Sequence, residues 1–210
     1  MSIVTRAIEF RDRVRPLIQD EDGVHHEFYD GDHGQKLDCA KIEGDIELFE
    51  EWVDLTTEGV MYHYGNNLPR FIIGVANGTN LLGECVTQKL NEKDESDNPY
   101  EQITFLKTRK RDKQFFLDQS AIERLRCVSN AYNPDGTINW ALVLEDVGTT
   151  GSSALAVIDE VENWASSRIS RYEVLNLWQR SLELPALIGA NIAYKSLIVE
   201  PLDTFSPEDC

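Results

Sequence analysis

One run of thirteen residues limits the fold more than any other part of the chain: Ala141-Leu142-Val143-Leu144-Glu145-Asp146-Val147-Gly148-Thr149-Thr150-Gly151-Ser152-Ser153. Four consecutive apolar residues bounded by polar ones read as a strand covered on both faces, which is the habit of parallel sheets. Two carboxylates end the strand, and a turn of small and hydroxylated residues leads into a helical pattern over Ser153–Ala165. In open α/β sheets, ligands bind at the carboxyl ends of the strands. Small turn residues let backbone N–H groups surround a phosphate, and the helix N-terminus adds to the attraction. Two acids beside such a cradle would repel a bare phosphate. They suit a ligand that also presents hydroxyls and a divalent cation, as a phosphorylated ribose with Mg²⁺ does. A Walker A loop is excluded, because no Gly-Lys-Ser/Thr follows.

The rest of the chain repeats the strand–helix alternation. Strands are expected over Phe71–Ala76, Ile103–Leu106, Tyr172–Leu177 and Ile192–Val199, and helices over Leu81–Leu90 and, briefly, Pro185–Ile188. The predicted fold class is therefore α/β, a mostly parallel central sheet flanked by helices. Ahead of it, helices are predicted over Ile3–Gln19 and from Asp45 to about His63, with a Gly- and Asp-rich hairpin or irregular hood at 24–40. Residues 1–66 then form N-terminal helices and hood, and 67–210 the α/β core, in one integrated domain. Asn91–Tyr100 and Tyr132–Thr137 read as polar loops, and 114–139 has no assigned role.

The thirteen-residue run resembles the phosphoribosyl pyrophosphate (PRPP) signature of type I phosphoribosyltransferases. The resemblance implies that Glu145 and Asp146 hold the ribose hydroxyls, that Thr149, Thr150, Gly151, Ser152 and Ser153 take the 5′-phosphate, and that Val147 and Gly148 join them in binding PRPP. It also implies a pyrophosphate loop, and Phe71-Ile72-Ile73-Gly74-Val75-Ala76-Asn77-Gly78-Thr79-Asn80 is similar to that element, with Ala76, Asn77, Gly78 and Thr79 as binding residues.

Thirty-seven acids against twenty bases give a net charge of −17, a field that repels nucleic acid and anionic membranes. Against that field, Lys107, Arg109, Lys110, Arg111 and Lys113 crowd into seven residues. They read either as a solvated charge run or as the counter-charge of a departing pyrophosphate. Arg109-Lys110-x-x-Lys113 resembles the catalytic loop of orotate phosphoribosyltransferases, which implies a mobile loop reaching into the neighbouring subunit of a homodimer with shared active sites. The family pattern continues Asp-His-Gly, whereas this chain continues Gln114-Phe115-Phe116. Leu177-Trp178-Gln179-Arg180 resembles the same enzymes' base-recognition segment. Arg180 is then either the fork that meets a base carboxylate or a surface residue closing a strand. Phe28 either stacks on the base or belongs to the core, and Thr149 completes the substrate contacts.

These resemblances together imply transfer of the phosphoribosyl group from PRPP to orotate, with Mg²⁺ carried by PRPP and no firm protein ligand. Another acceptor base (uracil or a purine) and a non-catalytic PRPP-binding regulator are the alternatives. No stretch is apolar enough to span a bilayer. No basic-then-apolar leader opens the sequence, and the setting expected is cytoplasmic. Cys39, Cys85, Cys127 and Cys210 form no C-x-x-C pair, which fits reduced thiols; the first three are expected as buried small side chains. His25, His26 and His33, without supporting Cys, are expected in a solvent-facing loop rather than around zinc.

Overall fold

The computed structural model describes residues 2–19, 26–27, 33–34, 36–37, 39–65, 67–76, 78–93, 102–129, 139–165, 169–201 and 204–205. Asn77, Phe28, His25 and Cys210 lie outside them. Helix α1 (Ile3–Val14) starts at Ser2, whose hydroxyl accepts from the Thr5 N–H at 3.2 Å. It ends five residues short of the expected Gln19, because Pro16 cannot donate to a helix interior; a 3₁₀ turn (Arg15–Leu17) and strand β1 (Ile18–Gln19) follow. Within the expected hairpin or hood lie short strands β2 (His26–Glu27), β3 (His33–Gly34) and β4 (Lys36–Leu37); β2 pairs antiparallel with β3, and β4 with β1. Helix α2 (Cys39–Gly44), unpredicted, precedes α3 (Ile46–Tyr64). The Asp45 carboxylate caps α3 by accepting from the Glu47 and Leu48 N–H groups, both at 3.1 Å.

The core begins with β5 (Phe71–Gly74), α4 (Asn80–Lys93) and β6 (Thr104–Leu106). Strands β7 (Thr108–Arg111) and β8 (Gln114–Leu117) form an antiparallel hairpin, and α5 (Gln119–Ser129) fills much of the stretch that had no assigned role. Then come β9 (Trp140–Gly148), α6 (Ser152–Ala165), β10 (Arg171–Gln179), α7 (Pro185–Gly189), β11 (Ala193–Val199) and β12 (Thr204–Phe205), the last paired with β3.

Five strands make one sheet in the order β11-β10-β9-β5-β6, and every pairing in it is parallel. Alternation along β9 splits the interior in two. Leu142 and Leu144 pack with Phe10, Trp52 and Leu82 beneath α1, α3 and α4. Ala141 and Val143 pack with Leu125, Val157 and Leu187 beneath α5, α6 and α7. Coverage of both faces is why β5 and the first half of β9 read as unbroken apolar runs. From β5 the chain moves outward to β6 and then returns to place β9 on the other side of β5. Strand order therefore reverses between β5 and β9, and the turns leaving those two strands part there to open a crevice.

The cysteine expectation needs correction: Cys39 is buried, Cys85 half-buried and Cys127 exposed. No helix among the described residues is long and apolar enough to cross a membrane.

Candidate active site

The crevice at the β5/β9 reversal is a cleft of about 470 Å³ lined by Lys110, Lys113, Phe115, Glu145, Val147 and the turn Thr149–Ser153. A wider groove of about 790 Å³ runs along the β6 edge between α4 and α5, with Glu84, Glu92 and Glu123 in its lining. It contains none of the residues that the sequence assigns to a binding or catalytic role, and lies away from the β5/β9 reversal. The smaller cleft is the chemically furnished one.

Strand β9 continues four residues past the expected Leu144, so Glu145 and Asp146 are held in the ladder rather than in a free loop. Glu145 is only 5% exposed, opposite Asn176 in register, and its Oε2 makes no hydrogen bond. Burial, reinforced by Asp146 and opposed by Lys110, pushes its carboxyl up to about 8. A buried polar atom that the fold leaves without a hydrogen bond, in a residue lining a cleft, marks a candidate ligand contact. Asp146 is half-buried, and its Oδ1 accepts from the Val147 N–H at 2.9 Å. Its carboxylate lies against Gly78: a Cβ on Gly78 would stand 1.9 Å from Asp146 Oδ2. The two loops found by sequence thus meet at this contact.

The turn after β9 is braced from behind. Ser181 donates to the Thr149 carbonyl, and the Ala186 N–H donates to the Thr150 carbonyl at 3.0 Å. Gly151 has φ +79°, and Leu187 occupies the place its side chain would need, 2.5 Å from an added Cβ. With carbonyls drawn backward, the front of the turn presents small side chains and the start of α6 to the cleft. The Thr150 and Ser152 hydroxyls are 2.9 Å apart there.

The turn after β5 is arranged differently. Thr79 is fully buried, and its hydroxyl lies 3.0 Å from the Val75 carbonyl and 2.9 Å from the Leu144 carbonyl, committed to backbone rather than to the cleft. Ala76 is buried, and its N–H donates to Thr108 Oγ1 at 3.0 Å. Gly78 carries this loop's contact with Asp146.

The cationic segment is a hairpin and not an open loop, which corrects the expectation. Asp112 and Lys113 both have positive φ, 49° and 67°, the signature of a two-residue type I′ turn. Phe115 and Leu117 are buried against α6, and the Leu117 N–H donates to Glu160 at 3.2 Å. Alternation sends Lys110 and Phe115 to the cleft side, with the ammonium 5.1 Å from the ring centroid. Arg109 faces the other way, donating to Asp118 from Nε at 3.1 Å and from Nη2 at 2.8 Å. The structure therefore brings Lys110 and Lys113 to the cleft of their own chain and leaves Arg109 outside it.

Arg180 follows β10 and is 3% exposed, which removes the surface reading. Its N–H donates to the Gly148 carbonyl at 3.0 Å, at the root of the β9 turn, although its side chain is not part of the cleft lining. Sequence reasoning missed Thr108, Asn80 and Ser181. Their partners lie 28 to 34 residues away, and no local pattern signals such contacts.

No known family model matches this sequence, and no curated protein matches it. Solved structures do resemble it in shape. An orotate phosphoribosyltransferase from Aeropyrum pernix shares 17% identity over 92% of each chain, with a TM-score of 0.56. The orotate phosphoribosyltransferase of Mycobacterium tuberculosis H37Rv, in complex with inorganic phosphate, shares 15% over 93% of this chain and 96% of that one, at 0.57. Adenine phosphoribosyltransferase from Saccharomyces cerevisiae shares 15% over 90% and 99%, at 0.59. The chain has the type I phosphoribosyltransferase fold.

Proposed function

We propose that this protein transfers the 5-phosphoribosyl group from PRPP to a nucleobase, releasing pyrophosphate, and that the base is orotate. The observation that carries the reading is the cleft itself. A buried carboxyl with one oxygen free of hydrogen bonds, a hydroxyl-lined turn at a helix N-terminus and two lysines converge there, at the strand-order reversal of this fold.

The chemistry asked of these groups is mostly charge placement. The turn Thr149–Ser153 receives the 5′-phosphate through backbone N–H groups and hydroxyls. Glu145 and Asp146 accept hydrogen bonds from the ribose hydroxyls. As the anomeric carbon gains positive charge, the same carboxylates stabilise it. Lys110 and Lys113 meet the negative charge that builds on the departing diphosphate. Glu145 and Asp146 offer the hard oxygens a divalent cation prefers, and among the described residues no three of His, Cys, Asp and Glu converge into a cage. That donor set fits a Mg²⁺ that arrives with the diphosphate and keeps most of its shell from ligand and water. Bound there, it would neutralise diphosphate charge.

Orotate rests on Arg180, a guanidinium at the ligand end of β10 suited to a carboxylate. One observation favours a second reading, an uncharged base such as adenine: the Arg180 side chain does not line the cleft. Incubating the protein with PRPP, Mg²⁺ and each of orotate, uracil, hypoxanthine and adenine tests both. Pyrophosphate release with orotate alone supports the first. Release with adenine replaces the base, and binding of PRPP without release to any base makes the protein a PRPP sensor. A homodimer and a cytoplasmic setting belong to the same proposal.

A further inference from the structure

Thr108 opens β7 and is completely buried. Its hydroxyl donates to the Gly74 carbonyl at 2.5 Å and accepts from the Ala76 N–H at 3.0 Å. Its own carbonyl accepts from Asn80 Nδ2 at 2.8 Å, and its N–H donates to Asn80 Oδ1 at 3.3 Å. Four hydrogen bonds therefore tie one residue to both ends of the β5 turn. A valine would fill the same volume and suit a strand equally well, and would bury no hydroxyl. Both bonds of that hydroxyl are made to the turn, none within its own hairpin. By strand alternation Thr108 shares a face with Lys110, the face directed to the cleft, while Arg109 on the opposite face is held by Asp118. Two residues past Thr108 stands one cleft lysine, and at the tip of the same hairpin stands the other.

We propose that Thr108, assisted by Asn80, is a positioning residue: it locks the cationic hairpin to the 74–80 turn and so fixes where Lys110 and Lys113 stand over their own chain's cleft. The inference rests on the reading that this cleft receives a diphosphate. It predicts that losing the lock costs anion affinity even though Thr108 itself is out of the ligand's reach.

The test is calorimetric titration of the full chain with inorganic pyrophosphate and Mg²⁺. Thr108→Val should weaken binding about threefold to tenfold, the worth of a hydrogen bond or two. Thr108→Ser should restore it, because the hydroxyl returns. In the double variant Thr108→Val/Lys113→Ala the losses should not add, since a misplaced lysine has little left to lose. Asn80→Ala removes only the bonds to the Thr108 backbone and should weaken binding in the same direction; it serves if Thr108→Val does not fold. Wild-type affinity in Thr108→Val or in Asn80→Ala, with only the melting temperature lowered, overturns the positioning role and leaves the function standing. Additive losses in the double variant overturn it as well. A wild-type chain that binds neither pyrophosphate nor PRPP overturns both readings.

Discussion

The turns after β5 and β9 look alike in sequence: each follows an apolar parallel strand, each contains glycine and threonine, and each starts a helix. Their structures divide the labour. In the β5 turn, the Thr79 hydroxyl, the Ala76 N–H and the Asn80 amide are spent on the protein itself. The β9 turn is braced at its carbonyls from behind and lines the cleft with Thr149, Thr150, Ser152 and Ser153, the Thr150 hydroxyl also accepting from the Ser152 N–H at 3.3 Å. A strand-turn-helix pattern therefore locates a candidate ligand edge, and the hydrogen bonds around each turn show which polar side chains the fold already uses.

The largest effect is expected where the turns touch. Asp146→Asn should lower kcat by about 10²–10³-fold with little change in PRPP affinity, because a carboxylate facing developing positive charge acts mainly in the transition state. Gly78→Ala should approach the same loss by displacing that carboxylate. If Gly78→Ala keeps full turnover, the β5 turn is not part of the site.

Next in size is Arg180, at the root of the open turn. Arg180→Ala should lower kcat/KM for orotate roughly ten- to a hundredfold, as expected for a lost charge-assisted pair, and leave PRPP affinity near wild type. Arg180→Lys should recover only part, since an ammonium lacks the fork. Unchanged orotate kinetics in Arg180→Ala would remove the main reason for naming orotate.

Glu145 gives a third effect, visible in pH. With its carboxyl raised from 4.5 to about 8 in the free protein, kcat/KM should climb as pH rises toward 8, about tenfold per unit, and level off above it. Glu145→Gln should lose that limb. The sign for stability is opposite. The folded chain keeps a proton that the unfolded chain releases near 4.5, so stability falls as pH rises from there to about 8, by at most ~1.4 kcal/mol per unit. Scanning calorimetry should show Glu145→Gln gaining on wild type at pH 8 and not at pH 4.

The smallest effects separate the two turns most directly. Thr79→Val should lower stability by about 1–2 kcal/mol and leave PRPP affinity intact at 25 °C. Thr150→Val should do the reverse, weakening PRPP severalfold with a smaller loss of stability than Thr79→Val, since its hydroxyl is exposed and, among the described residues, bonds only Ser152. If both variants change both quantities, the division of labour fails.

The strands around the site were legible because each carries a run covered on both faces, and the acids and small residues after Leu144 were legible because they are contiguous. The cationic hairpin was not. Its polar strand Thr108–Arg111 has no apolar alternation, and Asp112-Lys113 lacks the Asn-Gly signature of its turn. Without knowing the strand, nothing indicates that Arg109 and Lys110 face opposite ways. Helix α5 could have been read from Ala121, Ile122 and Leu125, which share one buried face. The assignments of Phe28 and Asn77 fall outside the described residues.

The tip of the hairpin carries a trade-off. Left-handed backbone costs an ordinary side chain roughly 1 kcal/mol, and glycine there would be relaxed. Lys113 occupies such a position, at φ 67°, and lines the cleft. An engineer optimising thermostability would install Asn-Gly at 112–113 and obtain a sturdier protein with one cation fewer. Selection for stability and selection for anion capture thus pull this two-residue turn in opposite directions. Variants recovered from a screen on melting temperature alone should drift away from lysine at 113, one of the two lysines that line the cleft.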